Sequence, residues 1–140
     1  RWFNTSAPVT LAGLRGKIVV LHAFQMLCPG CVSHAIPQAK RLHEFAKGSD
    51  LVVLGLHSVF EHHAAMTPVS LEAFLHEYRI SFPVGVDQPG DEALPKTMEA
   101  YRLRGTPSTV VIDREGRIAR HSFGAEDDLA LGLFLGRLLA

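Results

Sequence analysis

Two short β-branched runs, GKIVVLHAF (16–24) and DLVVLGLHSV (50–59), flank a segment of helical periodicity. Each run is nearly continuous in apolar residues, as a strand buried on both faces requires. Between them Ile36, Ala39, Leu42, Phe45 and Ala46 fall at helical spacing, and Gly48 supplies a stop. Strand, helix, strand implies a βαβ unit, with parallel pairing and a right-handed crossover. Pro37 lies inside the helical pattern and is expected to kink it.

The rest of the chain adds elements around this unit. TPVSLEAFLHEYRI (67–80) reads as a helix capped by Thr67, with Pro68 in its first turn and Leu71, Phe74, Leu75 and Tyr78 on one side. FPVGVD (82–87) reads as a short edge strand, because proline cannot donate to a ladder. KTMEAYRL is a short helix. STVVIDREGRIARHSFG is a hairpin turning at DREG, and AEDDLALGLFLGRLLA is a closing helix with acids in its first turn. Trp2 is expected to pack a short N-terminal strand against the rest. Met66, Met98, Phe45, Phe74, Tyr78 and Phe134 read as core or rim packing. The expected fold is α/β: a three-layer α/β/α sandwich with helices on both faces of a mixed central sheet.

The 140 residues, 47% of them hydrophobic, suit one domain spanning 1–140 with a proper core. Fourteen basic and 14 acidic residues balance, with no basic stripe, so nucleic acid is not an expected partner. The apolar runs are too short for a membrane span. The chain begins RWFNTSAPVT, without an initiator Met or an apolar signal core, and so reads as a processed or trimmed product. The sequence withholds the compartment; the cytoplasm is slightly favoured over the periplasm.

Chemistry is concentrated at FQMLCPGCVSH (24–34), which holds the chain's 2 cysteines. Two cysteines cannot form a disulfide framework; a C-x-x-C beside a βαβ pattern points to redox chemistry. With Cys28 at the helix N-cap, Pro29 falls at the first helical position, where its fixed φ fits. The free backbone N–H groups of Gly30 and Cys31 then face the Cys28 sulfur, and the positive helix end reinforces them. Both effects favour the thiolate, which is the attacking species in exchange. Cys31, one turn further in, is expected to be more buried. Cys28 is thus the candidate nucleophile and Cys31 the thiol that resolves the mixed disulfide.

RGTPST (104–109) is the second signal, since Gly-Thr-Pro is an odd entry to a strand. A cis Thr106–Pro107 bond accounts for it and offers the Thr106 backbone to a substrate chain; a trans-proline turn is the plain alternative. CPGC tips the reading towards cis.

CPGC after an apolar strand, GTPST ahead of a hairpin, and IDREGRI together resemble the thioredoxin superfamily. WFN…LAGLRGKIVVLHAF, the helical insert and FPVGVD are similar to its TlpA-like and redoxin (AhpC/TSA-related) branches, and to the thioredoxin domains attached to NHL repeats. The resemblance covers nearly the whole chain. It implies Cys28 as nucleophile, Cys31 as resolving thiol and Pro107 as the cis-proline beside them. Thr106, Pro107, Pro29 and Gly30 are the expected substrate contacts. There are departures. His22 stands where thioredoxins place a buried Asp, and His34 where TlpA-like proteins often place a Glu. Pro37 comes one residue late, and the dipeptide is Pro-Gly. His22 is either the proton acceptor for the resolving thiol, titrating near neutral pH, or a satisfied core histidine. His34 is expected at the surface, modulating the site.

The expected activity is that of a thiol–disulfide oxidoreductase acting on protein thiols and disulfides, with low-molecular-weight thiols as further candidates. No bound cofactor and no metal are required. A peroxiredoxin-like peroxidase is one rival. It would need a Thr three residues before its cysteine, where Cys28 has Gln25 and Cys31 has Cys28, and an arginine from Arg102 or Arg104. Metal binding is another, through His57, Glu61, His62 and His63 or through Cys28, Cys31 and His34. A non-catalytic peptide-binding module is the third.

Overall fold

The computed structural model describes residues 1–140. Its six strands form one mixed sheet: β1 (Trp2–Phe3), β2 (Ile18–Phe24), β3 (Leu51–His57), β4 (Val84–Val86), β5 (Ser108–Ile112) and β6 (Ile118–Phe123), in the order β1-β4-β3-β2-β5-β6. The expected βαβ unit is present. β2 pairs parallel with β3 from Ile18↔Leu51 to Phe24↔His57, and β3 continues parallel to β4. β5 runs antiparallel to β2, and β6 to β5. All seven residues of β2 are buried, as a central strand covered on both faces should be.

The helices are α1 (Ile36–Phe45), α2 (Pro68–Glu77), α3 (Lys96–Ala100) and α4 (Asp128–Leu139). They divide between the faces by strand alternation. Ile18, Val20, Phe24 and Val53 pack with Cys31, Ile36, Leu71, Leu131 and Leu135, so α1, α2 and α4 share one face. Val19, Leu21, Ala23 and Leu54 pack with Met98 and Leu103 on the other, beside α3 and the segment around Leu11. This is the three-layer α/β/α sandwich, with a thioredoxin-like arrangement.

Local chemistry sets the element ends. The Thr67 hydroxyl accepts the Ser70 N–H at 3.2 Å, and Asp127 caps α4 by accepting the Ala130 N–H at 2.9 Å. At the hairpin, Asp113 Oδ1 accepts from the N–H groups of Glu115 and Arg117 at 3.0 and 2.9 Å, and Gly116 supplies φ of 84°.

Two expectations change. The FPVGVD strand is not an edge: β1 pairs antiparallel to β4 outside it, through Trp2↔Gly85 and Phe3↔Val84. Pro83 is accommodated because β4 begins only at Val84. Phe45, expected in the core or at its rim, is 84% exposed at the last residue of α1, and the neighbouring Ala46 is buried instead. Pro37 is absorbed by a widened turn at Cys31–Ala35, where the Ile36 N–H reaches back five residues to the Cys31 carbonyl. A proline in the following turn cannot donate, and its ring crowds the carbonyl four residues earlier; the extra residue per turn relieves both.

Candidate active site

β2 ends at Phe24, and the chain turns through Gln25–Leu27 into the helix that becomes α1. Cys28 stands at the helix start, partly exposed, with its N–H donated to the Gln25 carbonyl at 3.2 Å. Its own carbonyl accepts the Val32 N–H at 3.1 Å, the first helical bond. Of the two amides expected at its sulfur, that of Cys31 is bonded there, at 3.3 Å. The Cys28 thiol donates in turn to the Thr106 carbonyl at 3.5 Å. Both cysteines are free thiols.

Cys31 is fully buried among Phe24, Ile36 and Ala39. Burial, reinforced by the Cys28 sulfur beside it, pushes its thiol up to about 12; the Gln25 backbone and the Thr106 hydroxyl pull more weakly the other way. The two thiols are therefore unequal: one meets solvent, and the other is held neutral behind it.

The Thr106–Pro107 bond is cis. Gly30 faces this loop so closely that a Cβ on it would lie 3.4 Å from Pro107 Cδ. The Pro107 carbonyl accepts the Gly124 N–H at 2.8 Å, which ties the loop to the end of β6. Cys28 and Thr106, 78 residues apart in the chain but in contact here, thus bring CPGC and GTP onto one surface.

His22 lies on the same sheet face as Phe24, opposite Thr109 on β5 and Gly55 on β3. It is 3% exposed, and neither ring nitrogen has a hydrogen-bond partner. Burial lowers its pKa to about 4, against a smaller upward pull from the Glu126 charge. The expectation that it titrates near neutral pH is thereby corrected: at pH 7 the folded protein holds a neutral imidazole.

Glu126 is a site residue that the sequence did not mark. It looks like one more acid at a helix start, yet it precedes the Asp127 cap and is buried. Arg120 and Ser122, two apart on β6 and so on one side of the strand, both donate to its carboxylate. Burial raises its pKa, but those bonds outweigh burial and leave it lowered overall. Its backbone carbonyl accepts from His34 Nε2 at 2.7 Å and Gln38 Nε2 at 2.8 Å. His34 is thus no free surface residue; it pins the active-site helix to the loop before α4.

The remaining histidines do not assemble a site. His57 is buried, and its Nε2 accepts the Met26 N–H at 3.3 Å, while Glu61, His62 and His63 are exposed. No three His, Cys, Asp or Glu side chains converge as metal ligands would. Gln25, at the position where a peroxidase would place its Thr, turns its amide to Thr106 and Phe60. Arg104 lies over the Phe123 ring at 5.2 Å.

Comparison with known proteins agrees with this geometry. The AhpC/TSA family model matches residues 4–121. Among solved structures, a thioredoxin-like superfamily protein is 59% identical, with a TM-score of 0.96 covering 100% of this chain and 91% of that one. A thiol-disulfide isomerase from Corynebacterium glutamicum is 51% identical, with a TM-score of 0.95 and the same coverage, 100% and 91%. The protein DipZ of Mycobacterium tuberculosis is 30% identical over 128 residues; these are 90% of this chain but 17% of DipZ. This chain thus spans only a small part of the curated relatives it matches first; with the family model matching most of its length, it belongs to the AhpC/TSA family and has a thioredoxin-like fold.

Proposed function

We propose that the protein exchanges its Cys28–Cys31 dithiol with the disulfides of other proteins, and with low-molecular-weight disulfides. The observation that carries this is the inequality of the pair: Cys28 reaches solvent with its sulfur on the Cys31 N–H at 3.3 Å, while Cys31 is sealed behind it. The Cys28 thiolate attacks one sulfur of the substrate disulfide. A Cys28–substrate bond forms, the substrate S–S bond breaks, and the departing thiolate takes a proton. Cys31 then loses its proton and attacks the Cys28 sulfur, releasing the second substrate thiol and closing Cys28–Cys31. Two electrons and two protons pass to the substrate; the reverse sequence oxidises a dithiol.

His22 is the proposed acceptor for the Cys31 proton, supported by its position on the sheet face under the helix and by the Glu126 charge that favours its protonation. Thr106 and Pro107, with Pro29 and Gly30 opposite, form the proposed seat of the substrate chain. Thr106 supports this with a backbone N–H that makes no hydrogen bond to other backbone groups.

The test is trapping. Cys31→Ser, incubated with a disulfide-bonded protein such as insulin, accumulates a mixed disulfide through Cys28, whereas Cys28→Ser accumulates none. Equal trapping by both variants would overturn the assignment. Hydroperoxide turnover faster than insulin reduction would favour a peroxidase instead.

A further inference from the structure

Arg104 is an exposed cation two residues before Thr106, at the edge of the cis-proline loop. It makes no ion pair with any carboxylate of the chain. Its guanidinium lies instead over the Phe123 ring, 5.2 Å from the ring centre. That ring is held in turn by the loop. Phe123 pairs with Ser108 across β5 and β6, and the next residue, Gly124, donates its N–H to the Pro107 carbonyl at 2.8 Å. A Cβ on Gly105 would lie 3.0 Å from Phe123 Cε1, so the ring rests against bare backbone there. The ring remains 49% exposed, and Leu27, next to Cys28, is 57% exposed. The carbonyl of Thr106 is the one at 3.5 Å from the Cys28 sulfur. Two residues span at most about 7 Å, so the Cα atoms of Arg104 and Thr106 are no further apart than that. A guanidinium seated on an aromatic face keeps its N–H edge free, and its planar fork matches a carboxylate. Two acids lie at this end of the sheet: Glu126 is buried with Arg120 and Ser122, and Glu61 is exposed on the loop after β3. Neither pairs with Arg104.

We propose that Arg104, seated on Phe123, selects among disulfide partners: it favours those with a carboxylate within about two residues of the reacting cysteine and disfavours those with a cation there. This rests on the reading of Cys28 as the nucleophile and of Thr106 and Pro107 as the substrate seat. An extended chain on that seat, with its cysteine against Cys28, advances about 3.3–3.6 Å per residue, so a side chain two residues away comes level with Arg104. Arg104 takes no part in the bond changes. The Cys28 thiolate attacks the partner's sulfur, the Cys28–partner bond forms, the partner's S–S bond breaks, and the departing sulfur leaves with the electron pair. The charge acts on encounter and seating, so its effect falls on formation of the mixed disulfide and weakens with added salt.

The probes are short peptides with one cysteine, each activated as the mixed disulfide with 2-nitro-5-thiobenzoate. They differ only at the residues two before and two after the cysteine, which are Glu, Gln or Lys. Attack by Cys28 on the peptide sulfur expels the chromophoric thiolate, so stopped-flow absorbance reads the first step with one leaving group throughout. At low ionic strength the parent should react with the Glu peptide about two- to fivefold faster than with the Gln peptide, and with the Lys peptide slower by a similar factor. Arg104→Ala should collapse this spread, and Arg104→Glu should invert its order. Phe123→Leu keeps the charge but removes its seat, and should narrow the spread. Arg137→Ala removes an equal charge near the far end of α4 and should leave the spread intact. No spread in the parent, a spread that survives in Arg104→Ala, or an equal loss in Arg137→Ala would overturn the proposal. A Cys28→Ser protein that still expels the chromophore at the parental rate would instead overturn the reading of Cys28. Urea midpoints of all variants confirm that folded protein is compared.

Discussion

Gly55 stands opposite His22 in the parallel pairing of β2 with β3, and aromatic rings occupy the space its side chain would take. A Cβ at residue 55 would lie 2.9 Å from Phe82 Cε1, 3.1 Å from Val84 Cγ2 and 3.2 Å from Phe24 Cε1. All three neighbours are buried and close-packed, so none can yield cheaply. Gly55→Ala should therefore destabilise the fold by about 1–3 kcal/mol through overpacking. Urea unfolding measures this as a lower midpoint at unchanged slope. A variant as stable as the parent would mean the rings have room to move.

The two thiols should differ in reactivity towards a small alkylating agent. Cys31 has no exposure, and its thiol is pushed up to about 12, so it offers little thiolate and no approach. In the native, reduced protein, iodoacetamide at pH 7.5 should label Cys28 and leave Cys31 slower by about 100-fold or more. Peptide mass spectrometry after timed quenching gives both rates. Comparable labelling would remove the asymmetry on which the order of the exchange steps rests.

Much of this was legible in the chain because the relevant signals are local. The continuous apolar runs of β2 and β3, the Pro29 entry to the helix and the Gly-Thr-Pro step are each written within a few residues, and each placed its element within a residue or two. The unforeseen features depend on contacts between distant segments. Nothing near FPVGVD says that Trp2 and Phe3 will cover its edge. Gln25 and Thr106 are 81 residues apart, and His34 and Glu126 are 92 apart, so neither bond has a sequence signature. His22 was noticed by its position, but its depressed basicity follows from complete burial without a hydrogen-bond partner, which only packing decides. The β6 pair Arg120 and Ser122 followed by Glu126 was the one available hint of a buried acid.

His22 and His57 should make stability fall in mild acid. Burial lowers both to about 4 in the folded state, against 6.5 for an ordinary histidine. Above pH 6.5 both are neutral whether folded or not, and their contribution is fully present. As pH drops below 6.5 the unfolded chain takes up protons that the folded chain refuses, so stability is lost until about pH 4, where the folded state also protonates. Each histidine contributes a loss of about 3 kcal/mol over that window. Urea unfolding at pH 7.5 and 4.5 should show the decline, and His57→Gln, which keeps an acceptor for the Met26 N–H, should lose about half of it. A flat profile would show that these rings protonate in the fold as easily as outside it.

His22 should also separate the two exchange steps. Attack by Cys28 needs no group beneath the helix, whereas attack by Cys31 requires a fully buried thiol to give up its proton. A neutral imidazole on the same sheet face can receive that proton transiently, and the Glu126 carboxylate, which raises the imidazole's proton affinity, makes this less unfavourable. His22→Ala should then leave formation of the mixed disulfide intact and slow its release, on the order of tenfold or more. Glu126→Gln should slow release in the same direction by a smaller factor, and should add little once His22 is gone, because its effect passes through the imidazole. Single-turnover release of a labelled peptide thiol, compared across the two single variants and the double, reads all three numbers. Release at the parental rate in His22→Ala would return His22 to the role of a core side chain and leave Cys31 to lose its proton directly to solvent.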